Sequence, residues 1–155
     1  PEVPATITLV NDGSLHVGGQ VLNPLALTAE DLRANYAAYT VDVSYRSGED
    51  TVTATFTGAL LWDIIGAAQV NLNADVHNDK LSLFIVASAS DGYQAVIAWG
   101  EIDPEFGGQQ VLVAYDRDGA PLDALQLVVP GDGRGGRYVE QLVSLEVRDA
   151  PAVSR

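Results

Sequence analysis

Between Val128 and Gln141 the chain reads VVPGDGRGGRYVEQ, placing Arg134 and Arg137 around the pair Gly135-Gly136 directly after an apolar stretch. Glycine lets backbone N–H groups approach a ligand closely, and arginine offers a planar fork matched to phosphate or carboxylate. At the mouth of a helical turn, where the first N–H groups lack partners, such a run can hold an anion. It is neither a Walker loop, which ends in Gly-Lys-Ser/Thr, nor Gly-x-Gly-x-x-Gly. The plainer reading is a surface turn whose arginines pair with some of the 21 Asp and Glu residues of the chain. A second stretch, Asp91-Gly92-Tyr93-Gln94, combines a turn with side chains suited to lining a cleft. It suits an ordinary turn into a strand equally well.

Other chemistry finds little support. There is no cysteine, which excludes disulfides, thiolate metal sites, thiol nucleophiles and iron–sulfur ligation. His16 and His77 lie far apart and suggest no metal site. Asp116, Asp118 and Gly119 look like a fragment of a calcium loop without its remaining ligands, and read as a hairpin turn. No serine sits in a Gly-x-Ser-x-Gly elbow. Glu101, Asp103 and Glu105 could pair for glycosidic chemistry only as any acidic surface could.

Composition narrows the partners. With 8 Lys and Arg against 21 Asp and Glu, the formal net charge is -13, which repels a phosphate backbone and an anionic membrane surface. No basic stripe interleaved with aromatics offsets it, so nucleic acid is not an expected partner, and no apolar run approaches the roughly 18 residues of a membrane span. Length and a hydrophobic fraction of 47% suit a single domain over residues 1–155. A chain opening at Pro1 is compatible with a trimmed, exported form.

The elements that must position the two loops read as follows. Thr6–Val21 suggests a hairpin around Asn11-Asp12-Gly13, and Thr28 is an N-cap for a short helix ending near Ala34 to Tyr36. Val41, Val43 and Tyr45 alternate on one side of Ser47-Gly48-Glu49-Asp50, and Val52, Ala54 and Phe56 on the other, a second hairpin broken at Gly58. Leu61, Ile64, Ile65 and Ala68 keep helical spacing. Strands are expected over Leu81–Ala87 and Tyr93–Trp99, then up to Tyr115 and again up to Pro130. Val139, Leu142 and Val143 suggest one helical turn before a last strand. The class is α+β, a mixed β-sheet domain with a few short helices.

Taken in order, LHVGGQVLNPLALTAEDL, TATFTGALLWDIIGAA, ASDGYQAVIAWGEIDPEFGGQQVLVAYDRDGAPL and LQLVVPGDGRGGRYVEQLVSLEV resemble the molybdopterin-binding domain of the sulfite oxidase family, over nearly the whole chain. The match is nearest to small, stand-alone members, which are often exported; the resemblance implies an exported or periplasmic protein. It implies further that Arg137 occupies the basic position after the glycines, that Gly135 and Gly136 occupy close-approach positions, and that Asp91 and Tyr93 lie on a loop facing the cofactor. Arg134 joins them as a candidate cofactor-binding residue.

The departures matter as much. The family's enzymes ligate molybdenum through a cysteine in the interval held here by VDVSYRSGEDT, where Ser44 and Ser47 are poor substitutes. Glu140 stands where a lysine is common, and Gln126 where an arginine is. Losing a cation and gaining a carboxylate weakens dianion binding by about 2 kcal/mol when shielded from water. The expectation is a non-catalytic or degenerate domain with no cofactor, molybdopterin remaining the one the resemblance allows. Such a domain would act as a module for a small anionic ligand or a protein partner. The alternative is a molybdopterin-dependent oxidoreductase whose metal site is completed by an unusual ligand or a partner subunit.

Overall fold

A computed structural model describes residues 3–154; Pro1, to which the expectation of trimming attaches, lies outside them. In chain order the elements are β1 (Leu15–Gly19), β2 (Leu25–Leu27), α1 (Ala29–Asn35), β3 (Tyr39–Ser47), β4 (Asp50–Leu60), α2 (Leu61–Ala68), β5 (Leu83–Ala89), β6 (Gln94–Ala98), α3 (Trp99–Ile102), β7 (Leu112–Arg117), β8 (Ala120–Val128) and β9 (Leu142–Asp149), with 3₁₀ turns at Asp79–Ser82 and Gly135–Arg137. The strands form two sheets, β2-β1-β9-β5-β6 and β3-β4-β7-β8. Among the strands of the described residues only β1 and β9 pair in parallel. The class is the α+β one expected, with its strands divided between two sheets.

Side-chain periodicity explains most of this. Along β3, Val41, Val43 and Tyr45 are buried while Asp42, Ser44 and Arg46 face out, the period of two that a strand imposes. Residues of both sheets and of α2 share one core that includes Leu15, Phe56, Ile64, Ile85, Leu127 and Leu145. In α1 the Thr28 hydroxyl accepts from the Asp31 N–H at 3.1 Å and the Asp31 carboxylate accepts from the Thr28 N–H at 2.9 Å. That reciprocal cap is worth about 1 kcal/mol. In α2 the four residues picked out by helical spacing are the buried ones.

Four expectations need correction. Thr6–Val10 forms no strand, because both edges of β1 are taken, by β2 and by β9. Gly58 does not end its strand: β4 runs on to Leu60, and a Cβ at Gly58 would stand 2.1 Å from the Val113 carbonyl oxygen, so glycine admits β7 across a bulge. The two strands placed at Leu81–Ala87 and Tyr93–Trp99 lie at Leu83–Ala89 and Gln94–Ala98, the first displaced by the 3₁₀ turn that precedes it. The helical turn expected around Val139 lies earlier, at Gly135–Arg137. Val139 and Leu142 are buried without being helical, and the Val139 carbonyl accepts from the Leu127 N–H at 2.9 Å.

Candidate functional site

The glycine-rich loop runs along β3, an edge strand of the second sheet. The Arg46 N–H donates to the Gly133 carbonyl at 2.9 Å, and Arg46 and Arg134 form an isolated parallel bridge. From the other side comes the turn after β5, in which the Tyr93 N–H donates to the Asp91 carboxylate at 3.0 Å and the Tyr93 hydroxyl donates to the Gly136 carbonyl. Asp91, Tyr93, Gly135 and Gly136 therefore meet around one cleft of about 290 Å³ that Ala89, Tyr138 and Glu140 complete.

The two arginines do not join them. The Arg137 guanidinium donates through Nε and Nη2 to the two oxygens of Asp132, both at 2.8 Å, and through Nη1 to Glu101 at 2.9 and 3.1 Å. Its hydrogen bonds to Asp132, together with Glu101, push the guanidinium above its ordinary range and hold it charged. The same Nη1 donates to the Val96 carbonyl at 3.3 Å, while Glu101 accepts the Ala98 N–H at 2.8 Å. The Glu101–Arg137 pair thus satisfies outward backbone groups of β6, an edge strand, in the place of a neighbouring strand. Arg134 is exposed and lies outside the cleft lining.

What faces the cleft is acidic: Asp91 and Glu140 line it and no basic side chain does. Gly135 is small for a reason inside the chain. A Cβ there would lie 2.8 Å from Tyr45 Cε2, so the Tyr45 ring already fills the space a close-approach glycine leaves open. Tyr45 stacks on Tyr138 with centroids 4.0 Å apart, and both are buried. Burial raises the Tyr45 phenol above its usual range and pushes that of Tyr138 up to about 12. The Tyr138 hydroxyl and Gln126 Nε2 are enclosed without a hydrogen-bond partner. Sequence reasoning missed Tyr45, Asp132 and Glu101 as the residues that fix this loop. The legible signal was Asp132 itself, inside the same glycine run as the arginines.

The remaining candidates are structural. The His16 ring meets Asp12 at 2.9 Å four residues away, a pairing the sequence reading passed over, and no group of three metal-ligating side chains occurs among the described residues. Asp116 pairs with Arg33, and Asp118 accepts the Thr55 N–H at 2.9 Å from within the β7–β8 turn. Asp103 is buried. It accepts the Trp99 indole N–H and the Glu105 N–H, each at 2.8 Å, with Lys80 at 3.4 Å. Ser44 faces outward, 3.5 Å from Thr53.

Over residues 2–155 the chain matches the family described as oxidoreductase molybdopterin binding domain. It belongs to that family. The fold of this molybdopterin-binding-family domain is similar to that of the sulfane dehydrogenase SoxCD from Paracoccus pantotrophus, with a TM-score of 0.72 and 18% sequence identity, over 93% of this chain and 40% of that one. The domain therefore spans less than half of the matched chain. Among curated proteins no match was found. No helix of the described residues is long and apolar enough to cross a membrane.

For a molybdenum-bearing pterin the donor set of this domain does not fit. No thiolate exists in the chain, Arg137 is shared between two carboxylates, and Tyr45 fills the face of Gly135. A phosphate in the cleft would face Asp91 and Glu140 with no cation on its lining to offset them.

Proposed function

We propose that the chain is a single domain of the molybdopterin-binding fold that no longer carries the cofactor and serves as a ligand-binding or interaction module. One observation carries this reading: Arg137, the basic residue that follows the glycines, spends its fork on Asp132 and Glu101. Freeing it would strand two partly buried carboxylates, a penalty that a phosphate on the neighbouring acidic cleft does not offset. The missing sulfur donor and the Tyr45 ring against Gly135 point the same way.

The competing reading is an oxidoreductase domain whose metal ligand comes from elsewhere. It draws on the greater length of the matched chain, of which this domain covers 40%. Protein produced in a host that makes the cofactor separates the two. Metal analysis is expected to find molybdenum far below one atom per chain and no turnover of sulfite or a sulfoxide. Stoichiometric molybdenum with turnover would defeat the proposal.

A further inference from the structure

The described residues include seven arginine and lysine side chains, in a chain of net charge -13. Five are in ion pairs: Arg33 with Asp116, Lys80 with Asp103 and Glu105, Arg117 with Asp118, Arg137 with Asp132 and Glu101, and Arg148 with Glu146. The two that pair with no described carboxylate, Arg46 and Arg134, are exposed and face each other across the isolated bridge between β3 and the glycine-rich loop. Paired residues of a β-bridge project from the same face, and like charges directly opposite repel. The neighbouring residues confirm the facing: Tyr45 and Gly135 turn inward onto each other, so Arg46 and Arg134 turn outward together. On the same outward face, Thr51 stands opposite Arg46 in β4 and brings a hydroxyl, the Thr53 hydroxyl donates to Ser44, and the one carboxylate of β3, Asp42, accepts from the Thr55 hydroxyl at 2.7 Å.

Two exposed arginines at opposed bridge positions, neither paired with a described carboxylate in a protein with carboxylates to spare, suit a ligand that sits between them. We propose that Arg46 and Arg134 form an oxyanion site for a phosphate or sulfate group, each guanidinium donating to the same group. The site deepens the module reading above, from which it takes only that the loop serves something other than the cofactor, and it uses Arg46 where the sequence had suggested Arg137. Its exposure makes binding salt-sensitive.

The test is a two-dimensional NMR titration of the intact chain at low ionic strength with inorganic phosphate, inorganic sulfate and glycerol phosphate, against sodium chloride at matched ionic strength. Saturable shifts confined to Arg46, Gly133 and Arg134 are expected with the oxyanions and absent with chloride. Equal affinity for inorganic phosphate and the ester assigns a free ion; tighter binding of the ester assigns an esterified group. Arg46→Gln and Arg134→Gln should each weaken binding by about tenfold, while Arg117→Gln leaves it unchanged. Because each removes one of two facing cations, neither variant should lower the melting temperature of unliganded protein. Shifts no larger than those with chloride, shifts that persist in both variants, or a lowered melting temperature would overturn the site. Its failure leaves the module reading standing, and molybdenum in the purified protein would end that reading without bearing on this titration.

Discussion

Gly135→Ala separates a glycine kept for packing from one kept for a ligand. The added methyl would lie 2.8 Å from Tyr45 Cε2 and 3.0 Å from Cδ2, closer than side-chain carbons come, and the ring it meets is buried and stacked on Tyr138 with centroids 4.0 Å apart. Overpacking of this kind costs about 1–3 kcal/mol, which for a domain of this size lowers the melting temperature by roughly 2–12 °C. Gly136→Ala is the internal control: its methyl meets nothing nearer than the Tyr93 hydroxyl at 3.7 Å, an ordinary contact. That variant should stay within about 0.5 kcal/mol of the parent, with a small gain where the unfolded chain loses freedom. Urea denaturation of ligand-free protein, read by near-ultraviolet circular dichroism from the tyrosines, measures both. Equal stability of Gly135→Ala and the parent would refute the packing argument and return Gly135 to the role of a ligand cradle.

Arg137→Gln should cost about 1–3 kcal/mol in urea denaturation, because it leaves Asp132 and Glu101 partly buried without their cation. Added phosphate should not restore the loss, and a change under about 0.5 kcal/mol would contradict the clamp. Tyr138→Phe removes a buried hydroxyl that has no partner, so it should be neutral or stabilising by up to about 1 kcal/mol. The same variant should erase the tyrosine ionisation at about 12 in an absorbance titration. Since burial raises that pKa above the ordinary 10.0, the group leaves stability unaffected below pH 10 and lowers it as pH rises from 10 towards 12, a fall that Tyr138→Phe should remove. Burial alone would raise Asp103, but the Glu105 N–H, the Trp99 indole and Lys80 outweigh it and hold the carboxyl below its usual 3.8. Its stabilisation is therefore present above pH 3.8 and fades as pH falls below it; Asp103→Asn should flatten the acid limb of a pH–stability curve, and an unchanged limb would contradict the assignment.

Local rules carried the sequence reading where they act alone. Thr28 with Asp31 caps a helix through its own side chains, and the alternation of Val41, Val43 and Tyr45 needs only one buried face. The reading failed where a distant strand decides. Thr6–Val10 alternates like a strand but finds the edges of β1 occupied, and Gly58 looks like a stop until β7 is seen pressing against it. At the site, the family resemblance pointed to Asp91, Tyr93, Gly135 and Gly136, and these four line one cleft. Arg137 was not, because Glu101 lies 36 residues away and its reach towards the loop depends on β6. Arg46 stayed hidden for a similar reason: its bridge to Arg134 joins segments that share no local pattern.

The most direct measurement is a high-resolution experimental structure of the protein purified from a host that makes the molybdenum cofactor. The predicted result is Arg137 clamped on Asp132 and Glu101, the Tyr45 ring seated against Gly135, and no pterin density beside Asp91 and Tyr93. A pterin in that cleft, with Arg137 turned away from both carboxylates to meet its phosphate, would contradict the account.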